Sequence, residues 1–595
     1  MADEFLGVST AARWRYSRLI GLGDRKQPLA YSPCLIQSKG DPELPVSLSP
    51  FTATQNSEIP ATLTITAKGK MSPPFEIDGP TWSVDLGHVL PPSLDEADVG
   101  EVGGQGCVLP ISWQRMKHDT GLLSLETQPQ IIVLLDALQL ANRPGRLPEA
   151  LISIRNLFPG ALIWAPGIGG PDNLAVLAWM GVDLFDLGRT RQSLSIGAML
   201  TSEGPRMPEE SLGEVASWES AIAAWTNEFS SVRRAIRDGN LRELVEKRAP
   251  NSPRLVEHLR YHDKLLKHPV KSILSSVVPA ETRLRCHTFS SREDPIVSDW
   301  YNLISQTYEA PKNMREVLIL LPCSAKKPYR FSKSHKAFMR SIGNTSAHHV
   351  MVTSPLGLVP RDLERIWPAA HYDVPVTGDW DADEILRIRT LVKGYVAKQG
   401  YKVVINHSGV ELPDLGIPCH DTRQGDGGTS YVALDRLSAK VKEVMSELGL
   451  KGIRGHKLLM AEFASISRHH GLNDHWLDGA VVSGKPPRFK IMLENKQLAQ
   501  WNPIRASLSV SKAALPIMYE KGSLPVVEIS MEGSWNGDIF GAMVVSYPEN
   551  IRVGAEFLVV KDGELIGSAR AVAPGFEWPS TPGRLAKAQH RLKKR

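Results

Sequence analysis

The chain has 595 residues, 42% of them apolar, with a formal net charge of +5 at neutral pH. That length exceeds what one hydrophobic core supports, so about three to five domains are expected. Five cysteines, Cys34, Cys107, Cys286, Cys323 and Cys419, stand far apart without a C-x-x-C pair. This spacing argues against a disulfide framework and against a cysteine-rich zinc site. The start, Met-Ala-Asp-Glu-Phe, lacks the basic-then-apolar order of a signal peptide, and no run approaches a bilayer span, so a cytoplasmic protein with no membrane partner is expected.

Up to about Leu90 the pattern is mixed, with the alternation Ala61-Thr-Leu-Thr-Ile-Thr-Ala67 suggesting strand. An α/β rhythm follows: strand at Ile131 to Leu135, helix at Leu147 to Leu157, strand at Ala161 to Trp164, helix at Pro171 to Met180 and strand at Val182 to Phe185. Short strands alternating with helices of this length imply βαβ units, hence a parallel sheet or a (β/α) barrel. Residues 212 to 262 are strongly helical and end this block, which is expected over 1–275. A second α/β block is expected over 283–445, with strands at Val317 to Leu321, His349 to Thr353 and Lys402 to Asn406 and an amphipathic helix at Asp383 to Lys398. A small α+β segment is expected at 452–522. The last block, 524–595, has short strands at Ala542 to Ser546 and Glu556 to Val560 and a turn at Asp562-Gly563, the pattern of a small β-barrel. Its last twelve residues, Arg584 to Arg595, carry six Lys or Arg and no acid, which suits a polyanion partner or a solvated terminus.

Chemistry concentrates in Pro322 to His335, P-C-S-A-K-K-P-Y-R-F-S-K-S-H. The stretch lies between an apolar run and a helix start, where ligands gather in open α/β sheets. Cys323 is a candidate nucleophile, because Lys326, Lys327 and a helix N-terminus would lower its pKa; it is equally readable as a small core residue. His335, in the first helical turn, is a candidate proton donor or an orienter of Cys323. Ser332 suits an N-cap. Lys327 and Tyr329 could hold a carboxylate, a phosphate or a base, with Ser324 beside them, whereas Lys326, Lys327, Arg330 and Lys333 could equally be a solvated cationic loop. His407 and Asp421 follow later strands that would gather at the same rim. A zinc site from Cys419, His420 and His407 lacks a known ligand spacing, so no metal and no other cofactor is expected.

Three segments resemble known families. Gly181-Val-Asp-Leu-Phe-Asp-Leu-Gly-Arg-Thr-Arg191 resembles the strand of tRNA-guanine transglycosylases that presents the aspartate nucleophile, which places Asp186 at that position. The family's C-x-C-x-x-C zinc cluster and the segment bearing its second aspartate are missing, so the resemblance implies a degenerate TIM-barrel domain with a vestigial Asp186. The bland reading of Asp183 and Asp186 is strand-end carboxylates that bind loop backbone. Ile551-Arg-Val-Gly554, Gly567 to Ala571, Gly575-Phe-Glu577 and Gly583 to His590 resemble a PUA domain, a small RNA-binding barrel. On that rim Arg552, Arg570, Lys587 and Arg591 could track phosphates. Pro322, Cys323, Lys327, Pro328, Tyr329, Ser332 and His335 match the P-C-x-x-x-K-P-Y-x-x-S-x-x-H signature of archaeosine synthases, with Thr353 to Pro360 and Tyr372 to Gly378 as further pieces.

The last resemblance implies a tRNA-modifying transferase of archaeal type, with a Rossmann-like α/β catalytic domain. Its substrate would be a tRNA carrying 7-cyano-7-deazaguanine, and its reaction the addition of an amine to the nitrile to give an amidine. The donor would be free lysine or, on the family's earlier reading, glutamine. Since nothing here resembles a complete glutaminase triad, lysine is preferred. The resemblance also implies a separate downstream radical SAM enzyme, and a homo-oligomer is expected. The alternatives are an active transglycosylase that inserts the base through Asp186, or a non-catalytic tRNA-binding scaffold.

Overall fold

A computed structural model describes residues 8–37, 41–52, 63–64, 108–125, 128–267, 273–275, 278, 282–375, 379–578, 580–581 and 583–592. Most of the alternating stretch at Ala61 to Ala67, Cys107 and the last three cations therefore lie outside the described residues. The chain forms two compact units, one of Met1–Ile273, Ile539–Ala542 and Val572–Ala586, the other of Leu274–Asp538, Met543–Ala571 and Lys587–Arg595.

The first unit opens with an antiparallel sheet of β1 (Val8–Trp14), β2 (Ser17–Gly23) and β3 (Pro28–Tyr31). Seven strands then follow: β4 (Cys34–Gln37), β5 (Phe51–Thr52), β6 (Leu63–Thr64), β7 (Val108–Ile111), β8 (Ile131–Leu134), β9 (Leu162–Trp164) and β10 (Leu184–Phe185). They lie in the order β6-β5-β4-β10-β9-β8-β7, and every pairing is parallel. Because the last strand pairs with the first, the sheet is barrel-like and nearly closed. Its register explains the apolar runs: Cys34, Ile36, Ile131, Val133, Leu162, Trp164 and Leu184 share one core with Ile20 and Leu22 of β2. The helix expected from Pro171 begins only at Leu174. Before it, Asp172 is fixed by Arg189 at 2.8 Å and Asn173 accepts from the Gly170 N–H, so this segment is a turn. The helical region resolves into Trp218–Asp238, Leu241–Arg248 and Pro253–Leu266. Ser217 caps the first of these in a capping box with Ser220, and Gly239, at φ +69°, ends it.

The second unit holds a five-stranded sheet. Its strands are β11 (Val317–Pro322), β12 (His348–Thr353), β13 (Gly357–Pro360), β14 (Val403–Asn406) and β15 (Cys419–Asp421), in the order β13-β12-β11-β14-β15. All neighbours are parallel except β12 and β13. The sheet is thus mixed, an edge hairpin replacing the crossover that a wholly parallel Rossmann-like sheet needs. One face is covered by α1 (Lys333–Ile342) and α3 (Tyr431–Glu447), whose Phe338, Ile342, Leu437 and Val441 meet Val317, Ile319 and Leu321. Between them in sequence, α2 (Ala382–Gln399) starts at an Asp381–Glu384 capping box and stops at Gly400, φ +74°. Beside this sheet Leu284–Arg285 pairs in parallel with Tyr372–Asp373.

The segment expected to be α+β has a helix, Gly455–His469, against four antiparallel strands from Val481 to Val510, with Phe463 stacked on Trp501. In the C-terminal part of this unit Val526–Ile529 lies between Val544–Ser546 and Glu556–Lys561, and the latter pairs with Glu564–Ala571. The hairpin turn carries positive φ at both Asp562 and Gly563, as a two-residue Asp-Gly turn requires. The strand expected from Ala542 starts at Val544, because Gly541–Met543 is a 3₁₀ turn.

Candidate active site

Parallel strands bring their carboxyl ends to one rim. β11 ends at Pro322, next to Cys323; β12 ends at Thr353; β14 leads into His407; and β15 ends at Asp421. Cys323 is half-buried. Burial pushes its thiol up in pKa, while a hydrogen bond with Thr353 and the charge of Lys327 pull it down. Lys327 moves the other way: desolvation lowers its ammonium, against the opposing pull of Cys323 and Asp373. Its Nζ sits 4.1 Å from the centroid of the Tyr372 ring, a cation–π contact. The Tyr372 hydroxyl lies 2.5 Å from Thr353 Oγ1 and also meets the Tyr329 hydroxyl. Tyr329 is completely buried in this hydroxyl chain. It supports the loop from below, and a substrate-holding role does not fit its position.

Under the loop runs a column of rings, Tyr329, His335, Phe338 and His407, each 5.2 Å from the next. His335 is fully buried, and its Nδ1 lies 2.9 Å from Nη2 of Arg361. Arginine can only donate, so Nδ1 accepts and the neutral ring carries its proton on Nε2. Burial, and after it the Arg361 charge, lower the pKa of His335 to about 3. A ring kept neutral in this way is suited to orienting the helix start rather than to acting as an acid near neutrality.

Other candidates prove to be engaged locally. Ser332 caps α1, its Oγ accepting from the His335 N–H at 3.1 Å. Ser324 Oγ donates to the Lys326 carbonyl at 3.0 Å. His407 is buried between Thr422 Oγ1 and the Gly428 carbonyl, both at 2.8 Å, and so straps loop 423–430 to the sheet. The Asp421 carboxylate accepts from the backbone N–H groups of Arg423 and Gln424 and holds a turn. Arg330 is no solvated loop cation. It pairs with Glu364, which is fully buried, and at 3.1 Å with Glu462, and Glu364 also binds Arg361. Arg361 and Glu364 were missed in the sequence, where an i,i+3 pair of opposite charges was their one signal. Among the described residues no cluster of three or more His, Cys, Asp or Glu suits a metal.

In the first unit Asp186 Oδ2 accepts from Trp164 Nε1 at 3.0 Å and from the Gly167 N–H at 2.9 Å, and Oδ1 accepts from the Gly188 N–H at 2.8 Å. It is 1% exposed. A nucleophile needs an exposed, weakly engaged oxygen, and Asp186 has none, which disfavours the transglycosylase alternative. Asp183 is likewise enclosed by Arg18, Arg155 and the Ile163 N–H. Of the candidate RNA contacts, Lys587 and Arg591 are exposed. Arg552 lies 3.5 Å from Asp299. Arg570 turns inward to Glu556, its side chain 17% exposed, so a phosphate-tracking role does not fit it.

These features define a multidomain α/β protein in which a thiol stands at the carboxyl rim of a mixed sheet with a lysine in the loop that follows. The chain is 28% identical over 537 residues to the archaeosine synthase of Methanocaldococcus jannaschii, covering 86% of this chain and 87% of that protein. It is 27% identical over 468 residues to the archaeosine synthase subunit alpha of Thermoplasma acidophilum, covering 76% and 85%. Over most of its length the chain is thus similar to archaeosine synthases. A tRNA-guanine(15) transglycosylase of Methanothermobacter thermautotrophicus matches at 27% identity over 44% of this chain and 43% of that protein. Residues 297–441 match a family described as a domain of unknown function, DUF5591. A solved PUA domain protein from Thermoplasma acidophilum aligns with 23% of this chain and 91% of its own, with 21% identity and a TM-score of 0.19.

Proposed function

We propose that this chain modifies tRNA in archaeosine biosynthesis by adding an amine, lysine in preference to glutamine-derived nitrogen, to the nitrile carbon of 7-cyano-7-deazaguanine. The family supports the pathway. One observation carries the chemistry: Cys323 and Lys327 lie within electrostatic reach at the end of β11, with the thiol shifted up and the ammonium shifted down. Their proton affinities are thereby brought closer together, which eases transfer between them.

In this reading Lys327 accepts the thiol proton and Cys323 Sγ adds to the nitrile carbon. A C–S bond forms, one C–N π bond opens onto nitrogen, and that nitrogen takes the proton from Lys327, giving a thioimidate and a neutral Lys327. The neutral amine of the donor then attacks the same carbon. The C–S bond breaks, the amine's proton returns to the thiol, and an amidine remains. Two steps with modest barriers replace one difficult addition. Extruding the base from the folded tRNA costs a few kcal/mol, and phosphate contacts at the basic, PUA-like C-terminal part, through Lys587 and Arg591, offset it.

The test is nucleoside mass spectrometry after incubation of purified protein with nitrile-bearing tRNA and lysine. Addition expels nothing, so the nucleoside should gain the full mass of the donor. Gain of ammonia alone, with glutamine required, would reassign the donor. No heavier nucleoside from well-folded protein overturns the reading.

A further inference from the structure

Within the second unit, a cavity of about 170 Å³ opens where α2 approaches the Phe289–Glu293 segment, and Thr353 is part of its wall. Val352 pairs in register with Pro322 on the adjacent strand, so Thr353 and Cys323 stand side by side at their strand ends and the cavity begins beside the thiol. Apolar surface comes from Tyr301, Pro355 and Ile388, and charges of both signs line it from the 289–293 segment and the first turns of α2. We propose that this cavity is the subsite for the amine donor. The donor would lie with its amine toward Thr353 and its α-carboxylate and α-ammonium among Arg387, Arg292, Glu384 and Glu293.

Three observations support this. First, size: a cavity of about 150 Å³ accommodates benzene, so this one suits a molecule as small as an amino acid and is too small for a nucleotide with its sugar. Second, charge: a nucleobase carries no formal charge, whereas a zwitterion needs a cation and an anion side by side. Arg387 pairs with Glu293, and Arg292 with Glu384 at 3.2 Å. Third, order and capacity. Arg292 is held from two sides, by Asp381 and Glu384, and lies over the Phe289 ring at 4.5 Å. Glu384 in turn accepts from Ser354 Oγ. Arg387 engages its acceptor through Nη2 alone and is nearly half exposed, so a guanidinium with five N–H donors retains capacity for a carboxylate. The exposed Arg387–Glu293 pair is worth little by itself, and a ligand can displace it.

This inference rests on the amine-addition reading, and two measurements separate them. In the first, free lysine is titrated calorimetrically into the full-length protein and into Arg387→Ala. In the second, product formation on nitrile-bearing tRNA is followed with lysine and with cadaverine, which has the same chain without the carboxylate. Arg387→Ala should raise the KM for lysine at least tenfold and reduce the preference for lysine over cadaverine by a similar factor. Ile388→Trp, which adds bulk to the apolar wall and removes no charge, should raise the KM for lysine as well. Lysine binding that is lost in Arg387→Ala while wild-type protein forms no product would uphold the cavity and overturn the reaction. Product formation with an unchanged KM for lysine in both variants, or equal losses for lysine and cadaverine in Arg387→Ala, overturns the cavity and leaves the reaction standing. Absence of both binding and product overturns both.

Discussion

Arg361 donates through Nη2 to Nδ1 of His335 at 2.9 Å, which ties the first turn of α1 to the end of β13 with a ring that stays neutral. The folded pKa of His335 is about 3, below its ordinary 6.5. Between those values the unfolded chain binds a proton that the folded chain refuses, so stability is full above pH 6.5 and falls as the pH drops toward 3. At pH 4.5 the stability lost is about 2–3 kcal/mol. His335→Gln, which keeps an acceptor for Arg361 and cannot titrate, should therefore show a shallower loss of stability between pH 7 and 4.5 in urea unfolding. An unchanged slope would show that His335 is not held neutral.

The ion pairs around Arg330 predict a different behaviour. Glu364 and Glu462 are both buried, and Arg330 serves both. Glu364 keeps Arg361 and Glu462 keeps Arg365, so removing the shared partner leaves each carboxylate one bond short rather than uncompensated, at a cost of about 1–3 kcal/mol. Arg330→Met should lower the unfolding free energy by that order, whereas Lys333→Ala, on an exposed position of α1, should change it by less than about 0.5 kcal/mol. Equal effects would return Arg330 to the status of a surface cation.

The contrast between these two residues marks what could be read from the chain. Val317–Pro322 was legible because a run buried on both faces has to be continuously apolar, and α1 because Ser332 is followed by a helical pattern that ends at Gly343. Cys323 and Lys327 were visible as chemistry at a strand end. Arg330 could not be told from Lys326 or Lys333, since its partner Glu462 is 132 positions away and sequence proximity carries no record of such a contact. Tyr329 and His407 were ambiguous for a related reason: tyrosine and histidine serve equally as ligand contacts and as satisfied buried rings, and only packing decides between them. In the first unit the alternation of strand and helix was plain, but the pairing of β10 with β4 that nearly closes the sheet depends on a register that no local pattern encodes.

For Asp186 the expected outcome concerns folding rather than base exchange. Three donors converge on its two oxygens. In Asp186→Asn the side-chain amide would turn one NH₂ toward a donor, so the substitution should destabilise the chain by about 1–3 kcal/mol while the rate of amine addition by the folded protein stays as in wild type. The check is a pair of assays, thermal unfolding and incorporation of labelled guanine into tRNA. Incorporation that Asp186→Asn abolishes would restore the transglycosylase alternative.

The thiol predicts a pH profile. Burial raises the pKa of Cys323, and Lys327 is one of the groups that lower it. Alkylation by iodoacetamide, followed at the Cys323 peptide so that the exposed Cys419 does not interfere, should be slower at pH 7 than for an ordinary thiol and rise into the alkaline range. Lys327→Met should slow it further, several-fold at pH 8, and should reduce amine addition by about 10²-fold or more, the usual worth of a positioned proton-transfer group. Cys323→Ala should abolish addition with tRNA affinity intact. Full turnover by Cys323→Ser would remove covalent catalysis from the mechanism.

The C-terminal cations divide by exposure, and salt dependence reads that division out. Lys587 and Arg591 are exposed, whereas Arg570 is drawn to Glu556, which also accepts from Ser568 Oγ at 2.8 Å and whose carboxyl is raised by burial to about 7. Each phosphate contact contributes close to one unit to the slope of log affinity against log salt. Lys587→Ala and Arg591→Ala should each weaken tRNA binding and reduce that slope by about one, with no change in unfolding. Arg570→Ala should leave the slope unaltered and destabilise the fold by about 1–3 kcal/mol, since it removes a partner from a buried carboxyl. A slope that responds to Arg570 and ignores Lys587 and Arg591 would place the RNA on a different face of these strands.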